Sequence, residues 1–346
     1  RDERHFADGA VRDVGPAPEQ QDGQDVVRRL RAAHDVVTDR ALAVAVPGSS
    51  AQLHARGDWQ PRVARSVMLT ADWRDLAWPL AGPAQLASRA GHMKLRGSLS
   101  DYTLDLDGFL TATPLTEIGI DARLDMRPGH YQARRIRLRS GAGEFLASGT
   151  LTDQWNAEWR GQLPMLAGLW PDAAGALRTT GRLRGPRAQP LIEATLEGRD
   201  LRHLRARMAE LDATLTLDLQ NRQDSQFELR AADLQIMGLS LNRLRLHAAG
   251  RREEHDVTAV LVATESQLAA AASGSLAASD WRGRVSRLTL DSRALGRWNL
   301  AAPVNLAASR SAVQLESLCW LHADAQLCAQ GQWQRVAGWA ASATAR

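Results

Sequence analysis

From about residue 50 onward, apolar side chains fall at every second position, and a period of two confines a chain to half-buried β-strands. Tyr102-Thr-Leu104-Asp-Leu106-Asp puts its apolar residues on one face and its acids on the other. Ile118 to Met126 repeats the pattern over nine residues. Turn-forming strings such as Arg127-Pro-Gly129, Ser140-Gly-Ala-Gly143 and Asn221-Arg-Gln-Asp224 separate the alternating runs. The pattern predicts an all-β chain of antiparallel strands, apolar on one side and bearing Arg, Asp, Glu and Thr on the other.

The candidate lining of the apolar face follows from the alternation. It begins with Val67, Leu69, Leu104, Leu106, Ile118, Ile120, Leu124, Ile136 and Leu138. It continues through Leu215, Leu217, Leu219, Leu229, Leu239, Leu241, Leu244 and Leu246. Val257, Leu261, Leu288, Leu290, Val304, Leu306, Val313 and Leu315 complete it. A looser repeat, Gly-x-Leu or Gly-x-Trp, recurs at Gly57, Gly97, Gly149, Gly181, Gly274 and Gly331. Its spacing, from 32 to 93 residues, is too irregular for a propeller blade or a strict solenoid coil.

A one-sided sheet must hide its apolar face, and a sandwich, a closed barrel, a solenoid or a ligand-filled groove would each do so. A transmembrane barrel needs aromatic girdles, and 4 Phe, 2 Tyr and many mid-strand arginines argue against one. Sandwich cores recruit bulky aromatics, whereas here the inward positions are mostly Leu, Ala, Val and Ile. A narrow solenoid core and a channel for acyl chains both suit mid-sized aliphatics, and composition does not separate the two. About twenty strands at roughly 4.8 Å each would make a body on the order of 95 Å long.

Of 43 Lys and Arg, only Lys94 is a lysine; 39 acids nearly cancel them, leaving a formal charge of +4. The charges are interspersed rather than clustered, which excludes the footprint of a nucleic-acid binder. No stretch approaches the roughly 18–20 apolar residues of a membrane span. The sequence starts on Arg1 without a signal pattern, so we expect a segment of a longer protein whose membrane anchor lies outside it. Residues 1–23 read as a flexible lead-in. Residues 24–40 read as a short amphipathic helix or cap, with Val26, Leu30, Ala33 and Val37 at helical spacing and Asp22 or Asp25 as its cap. Residues 41–346 read as one elongated domain of irregular strand-pair repeats.

No Gly-x-Ser-x-Gly elbow, Walker loop, His-Glu-x-x-His or Gly-x-Gly-x-x-Gly occurs, so we expect no catalytic residues, no metal, no cofactor and no enzymatic activity. His247 and His255 flank an Arg-Arg-Glu-Glu turn without metal-ligand spacing. The acids Asp105/Asp107 and Asp121/Asp125 fall on the polar face, where solvated carboxylates are the default. Cys319 and Cys328 flank His-Ala-Asp in a hairpin pattern that sets the two sulfurs facing each other. A disulfide would indicate an oxidising compartment such as a periplasm; two buried free thiols are the alternative. Trp73, Trp78, Trp155 and Trp159 fit either packing on edge strands or a lipid headgroup boundary.

Two strings carry a family resemblance. Trp73-Arg-Asp-Leu-Ala-Trp78-Pro-Leu80 followed by Gly97-Ser-Leu-Ser-Asp-Tyr102, and Leu290-Asp-Ser-Arg-Ala-Leu-Gly-Arg-Trp298 leading into the Cys319–Cys328 hairpin, resemble the central part of the TamB family within the broader AsmA-like group. The resemblance covers most of residues 50–346. It implies an elongated β-taco: an open, U-shaped antiparallel sheet with a continuous hydrophobic groove. It further implies a periplasmic segment of an inner-membrane-anchored protein of a Gram-negative bacterium that carries phospholipids between inner and outer membranes. The partners implied are phospholipid acyl chains in the groove and an outer-membrane barrel of the TamA type, met through regions outside this chain. The alternative is a scaffold or chaperone for outer-membrane protein and autotransporter assembly, pairing an open sheet edge with nascent strands.

Overall fold

The computed structural model describes residues 40–45, 50–60, 66–79, 84–98, 100–236, 238–336 and 338–346. The lead-in over 1–23 and the helix expected over 24–40 lie outside the described residues, except Arg40, which opens the first strand. The remainder is a procession of strands. They are β1 (Arg40–Ala45), β2 (Gln52–Gln60), β3 (Ser66–Trp78), β4 (Leu86–Ser98), β5 (Tyr102–Ala112), β6 (Ile118–Arg127) and β7 (His130–Ser140). Then follow β8 (Gly143–Leu151), β9 (Gln154–Leu163), β10 (Ala173–Pro186), β11 (Leu191–His203), β12 (Ala206–Asp218), β13 (Ser225–Ile236) and β14 (Leu239–Gly250). The series ends with β15 (His255–Val262), β16 (Ser266–Ala277), β17 (Asp280–Ser292), β18 (Gly296–Leu300), β19 (Val304–Ala308), β20 (Ala312–His322), β21 (Ala325–Gln334) and β22 (Gly338–Ala345). Among the described residues the only helical turn is Leu166–Gly168, between β9 and β10.

Each strand pairs antiparallel with the one before and the one after, so the fold is a single meander. The exception is β18 and β19, which lie end to end between β17 and β20. That gives 21 strand positions, a ladder about 95 Å long at roughly 4.8 Å per step. This is the elongated, open antiparallel sheet of the β-taco. Turns alternate between the two long rims, because every strand reverses the direction of its predecessor.

Among the described residues no second layer covers the sheet. All substantial contacts between elements join sheet neighbours, apart from the small turn beside β10. The consequence is the absence of a conventional core. Among the described residues no large side chain is fully buried, and the buried apolar residues are mostly alanines, such as Ala71, Ala122 and Ala231.

Candidate functional site: an uncharged face across the sheet

Residues directly opposite in an antiparallel pair point to the same side, so the register traces each face across the sheet. Starting at Ile120, the row runs through Gly108, Gly91 and Trp73 in one direction and through Leu138 and Phe145 in the other. Starting at Leu215, it runs through Ala194, Gly181 and Trp159 or through Phe227 and Ala248. Leu261, Leu268, Leu290 and Trp298 continue the row toward the carboxy-terminal strands. From β3 to β22 no register position on this face carries Arg, Lys, Asp or Glu. The charges of those strands stand on the opposite face, on residues that the ladder skips, or in the turns.

The polar face is tied together across strands. Asp105 faces Arg123 at 3.5 Å, Asp121 accepts from Arg135 at 2.8 Å, and Asp291 accepts from Arg297 at 2.6 Å. Arg134 and Thr103 both donate to Asp125, holding its carboxyl below the usual carboxylate range. Arg182 does the same for Glu193. The paired acids of the sequence therefore balance arginines. His247 lies on the polar face, 3.7 Å from Glu228, while His255 lies on the apolar face and accepts the Trp281 indole N–H at 2.7 Å. The two histidines do not converge, and no metal-ligand group is present among the described residues.

Three devices keep the apolar face continuous. The first is a seat of glycine beneath tryptophan. A Cβ on Gly91 would lie 2.0 Å from Cζ2 of Trp73, and one on Gly181 would lie 2.1 Å from Cζ2 of Trp159. Gly274 and Gly283 lie in the same way under Trp281. The Gly-x-Leu repeat is thus a set of inward glycines, of which Gly181 and Gly274 are covered by indoles. Trp73 and Trp78 sit on β3 and Trp155 and Trp159 on β9, both interior strands, so the expectation of edge-strand packing is corrected for all four.

The second device satisfies the indole N–H groups internally. Trp73 donates to Ser88 Oγ at 2.7 Å, and Ser88 in turn donates to the Phe109 carbonyl at 2.6 Å. Trp155, Trp298 and Trp320 donate to the backbone carbonyls of Arg187, Leu295 and Leu288. Trp159 donates to Thr179 Oγ1 at 3.4 Å. Six indoles of the face, Trp281 included, thus keep their donors inside the chain, whereas Trp78, Trp333 and Trp339 make no such bond among the described residues.

The third device corrects the alternation where it would fail. Asp75, Asp200 and Asp233 take φ values of 52°, 50° and 50° within strands, a conformation that Asp tolerates better than most residues. Each precedes a leucine: Arg74-Asp75-Leu76, Arg199-Asp200-Leu201 and Ala232-Asp233-Leu234. The left-handed residue returns the leucine to the apolar face three positions after the last inward residue instead of two. Leu201 Cδ1 consequently sits over Gly198, 2.6 Å from where a Cβ would stand. Leu241, opposite Leu234, is only 7% exposed.

The candidate lining residues fall on this face. Two of them sit at its margins: Leu219 is in the turn after β12 and 45% exposed, and Leu239 is at the start of β14 and 52% exposed. Strict alternation overlooked Leu76, Leu201 and Leu234, and the Asp before each leucine is the signal that would have found them. A hollow of about 390 Å³ opens on the face among Trp73, Leu76, Trp78, Leu106, Leu110 and Ile120, with almost no polar atom at its wall. A larger trough of about 920 Å³ lies on the polar side. It runs between Arg134, Arg160, Arg182 and Arg184 over a row of threonines, so it is a gap between long side chains and unrelated to the apolar face.

Cys319 and Cys328, directly opposite on β20 and β21, are joined by a disulfide on the polar face. No helix among the described residues is long and apolar enough to cross a membrane.

An open sheet with one continuous uncharged face and no covering layer defines a groove-forming β-protein. The family model "TamB, N-terminal domain" matches residues 126–338, well over half of the sequence, and the chain belongs to this family. The match includes the Leu290–Pro303 string and the cysteine hairpin, whereas the Trp73 and Gly97 strings precede it. The family is associated with lipid and outer-membrane protein assembly. No curated protein and no solved structure matches the chain.

Proposed function

We propose that the chain conducts phospholipids along its apolar face, as a periplasmic segment of an inner-membrane-anchored protein. The observation that carries this reading is the uncharged face, unbroken from β3 to β22 and covered by no other described element. Apolar surface on this scale requires a cover. Acyl chains supply one without any hydrogen-bonding demand, at about 0.8 kcal/mol per buried CH₂. The internal satisfaction of six indole donors on the face supports the same occupant, since a polar ligand would find few partners there. Movement along such a face is diffusive and uses no catalytic group. The Cys319–Cys328 bridge supports an oxidising compartment.

A second reading rests on β22. This strand, Gly338-Trp-Ala-Ala-Ser-Ala-Thr-Ala345, is exposed throughout and carries no charge and no proline. It could accept a client strand during outer-membrane protein assembly, or contribute to meeting a barrel partner. Lipid conduction accounts for the whole apolar face and strand pairing for one edge only, so conduction is preferred.

Native mass spectrometry of the purified chain tests the preferred reading: co-purifying phospholipid is expected. A photocrosslinking residue at Ile120 should capture lipid. Capture of protein alone there, with no lipid in the native spectrum, would overturn conduction in favour of the scaffold.

A further inference from the structure

The two long rims of the sheet differ in chemistry, and the difference orients whatever lies between them. Turns after the even-numbered strands from β10 to β14, and after β19 and β21, carry exposed arginines: Arg187, Arg222, Arg251, Arg252, Arg310 and Arg335. Arg187, Arg310 and Arg335 make no ion pair among the described residues. One residue inside this rim stands a series of tryptophans: Trp155, Trp281 and Trp339 are the second residues of β9, β17 and β22, and Trp333 is the penultimate residue of β21. The register places all four on the apolar face. The opposite rim is poorer in arginine and more aliphatic: its turns carry only Arg205 and Arg293, the latter 3.7 Å from Glu265. Leu204 is 79% exposed and Leu295 60%, and Met165, Trp78 and Leu239 are also exposed there.

Aliphatic surface, then indoles, then arginines is the order met on passing from hydrocarbon through the headgroup layer to water. We propose that phospholipids occupy the groove in one orientation, with phosphates along the arginine-bearing rim and tails directed across the strands away from it. This rests on the conduit reading and adds what that reading leaves open: which rim holds the headgroup, and which residues hold it. Successive turns on one rim are two strand spacings apart, about 9.6 Å, so arginines recur at that step from β10 to β14 and again from β19 to β21, with the arginine-free turn Ala278-Ser279 between the two runs. The mixed charge of the rim, where Asp224 and Glu254 neighbour Arg251, also suits a zwitterionic headgroup.

Two photoreactive phosphatidylethanolamines test it, one with a diazirine in the headgroup and one with it at the end of an acyl chain. Each is loaded from vesicles onto the unmodified chain, and the labelled peptides are mapped by mass spectrometry. The headgroup probe should label turns 187–190, 219–224 and 251–254 and spare 204–205 and 293–295; the tail probe should label mid-strand peptides. Equal labelling of both rims by the headgroup probe overturns the orientation while leaving the conduit standing. No labelling by either probe overturns both. Phosphatidylglycerol retention, measured with the double variant Arg222→Glu and Arg310→Glu, should fall about fivefold or more for each arginine. Unchanged retention with an unchanged circular dichroism spectrum would overturn the role of these arginines.

Discussion

Ile120 and Asp121 are adjacent on one strand and belong to opposite environments. Ile120 lines the hollow beside Trp73, in a face without a register-position charge across nineteen strand positions; Asp121 is clamped by Arg135. The two faces share every backbone hydrogen bond, so their difference lies wholly in the side chains. The polar face is water-compatible and partly tied within itself: Arg135 pairs with Asp121, Arg182 with Glu193, and Thr180 with Thr195 at 2.7 Å. The apolar face is left incomplete. Its rings and aliphatic chains touch only their neighbours in the sheet, and no second layer arrives. A folded chain with one finished face and one unfinished face needs an occupant on the unfinished one, and this asymmetry, more than any single residue, carries function.

The comparison breaks most visibly if a charge crosses it. Leu217→Asp places a carboxylate on the apolar face, where a passing acyl chain meets a penalty of about 3 kcal/mol, or roughly a hundredfold loss of lipid transfer. Thr216→Asp, one residue away on the polar face, should leave transfer unchanged. Transfer between donor and acceptor vesicles reads both variants, and circular dichroism should show both folded, because Leu217 is only half-buried. Equal behaviour of the two variants would mean that the faces do not differ in what they contact.

A smaller effect is expected from filling a tryptophan seat. Gly181→Val drives two methyl groups into the Trp159 ring and should cost about 1–3 kcal/mol. The displaced indole should also shift the intrinsic fluorescence. Gly119→Ala on the polar face meets only ordinary contacts, the nearest at 3.6 Å, and should change stability by less than about 0.5 kcal/mol. Denaturant midpoints compare the two variants directly.

How much of this was legible in the sequence follows from the same physics. Alternation is local, so strand identity and the apolar face could be read wherever the period held, as at Tyr102–Asp107 and Ile118–Met126. The Gly-x-Leu repeat was visible but its reason was not. At Gly181 and Gly274 that reason is the indole of a neighbouring strand, Trp159 and Trp281, a contact that no local pattern contains. The phase corrections at Asp75, Asp200 and Asp233 were hidden because a left-handed backbone residue within a strand carries no periodic signature. Open groove and closed solenoid could not be separated, because they differ only in whether a second wall packs on the face. The rim polarity was unreadable until the turns were assigned to alternate sides.

The charged rim itself supplies the next prediction. Asp218 closes the 219–224 turn with its carboxylate, accepting backbone N–H groups from Gln220, Arg222 and Gln223 at 2.9–3.0 Å. Burial opposes the charged form, but these three donors outweigh it, and the carboxyl is held below the usual carboxylate range. A depressed folded-state value stabilises the fold above the unfolded pKa of about 3.9, and the contribution is lost as pH falls through and below that value. Asp218→Asn should therefore cost about 1 kcal/mol at neutral pH and flatten the loss of thermal stability between about pH 5 and pH 3. An unaltered acid limb in the variant would show that the carboxylate does not hold the turn.

The smallest effect is expected where the polar face looks most elaborate. Arg297 approaches Asp291 at 2.6 Å in a well-formed pair, yet both side chains are more than half exposed. Water already solvates each partner, and ordering the long arginine side chain offsets much of the attraction. Asp291→Asn should change the unfolding free energy by no more than about 0.5 kcal/mol, and less at high salt. A loss well above that would mean that the polar face is held by its ion pairs. It would then be the face that keeps the sheet in shape, leaving the apolar face free to bind without also having to stabilise.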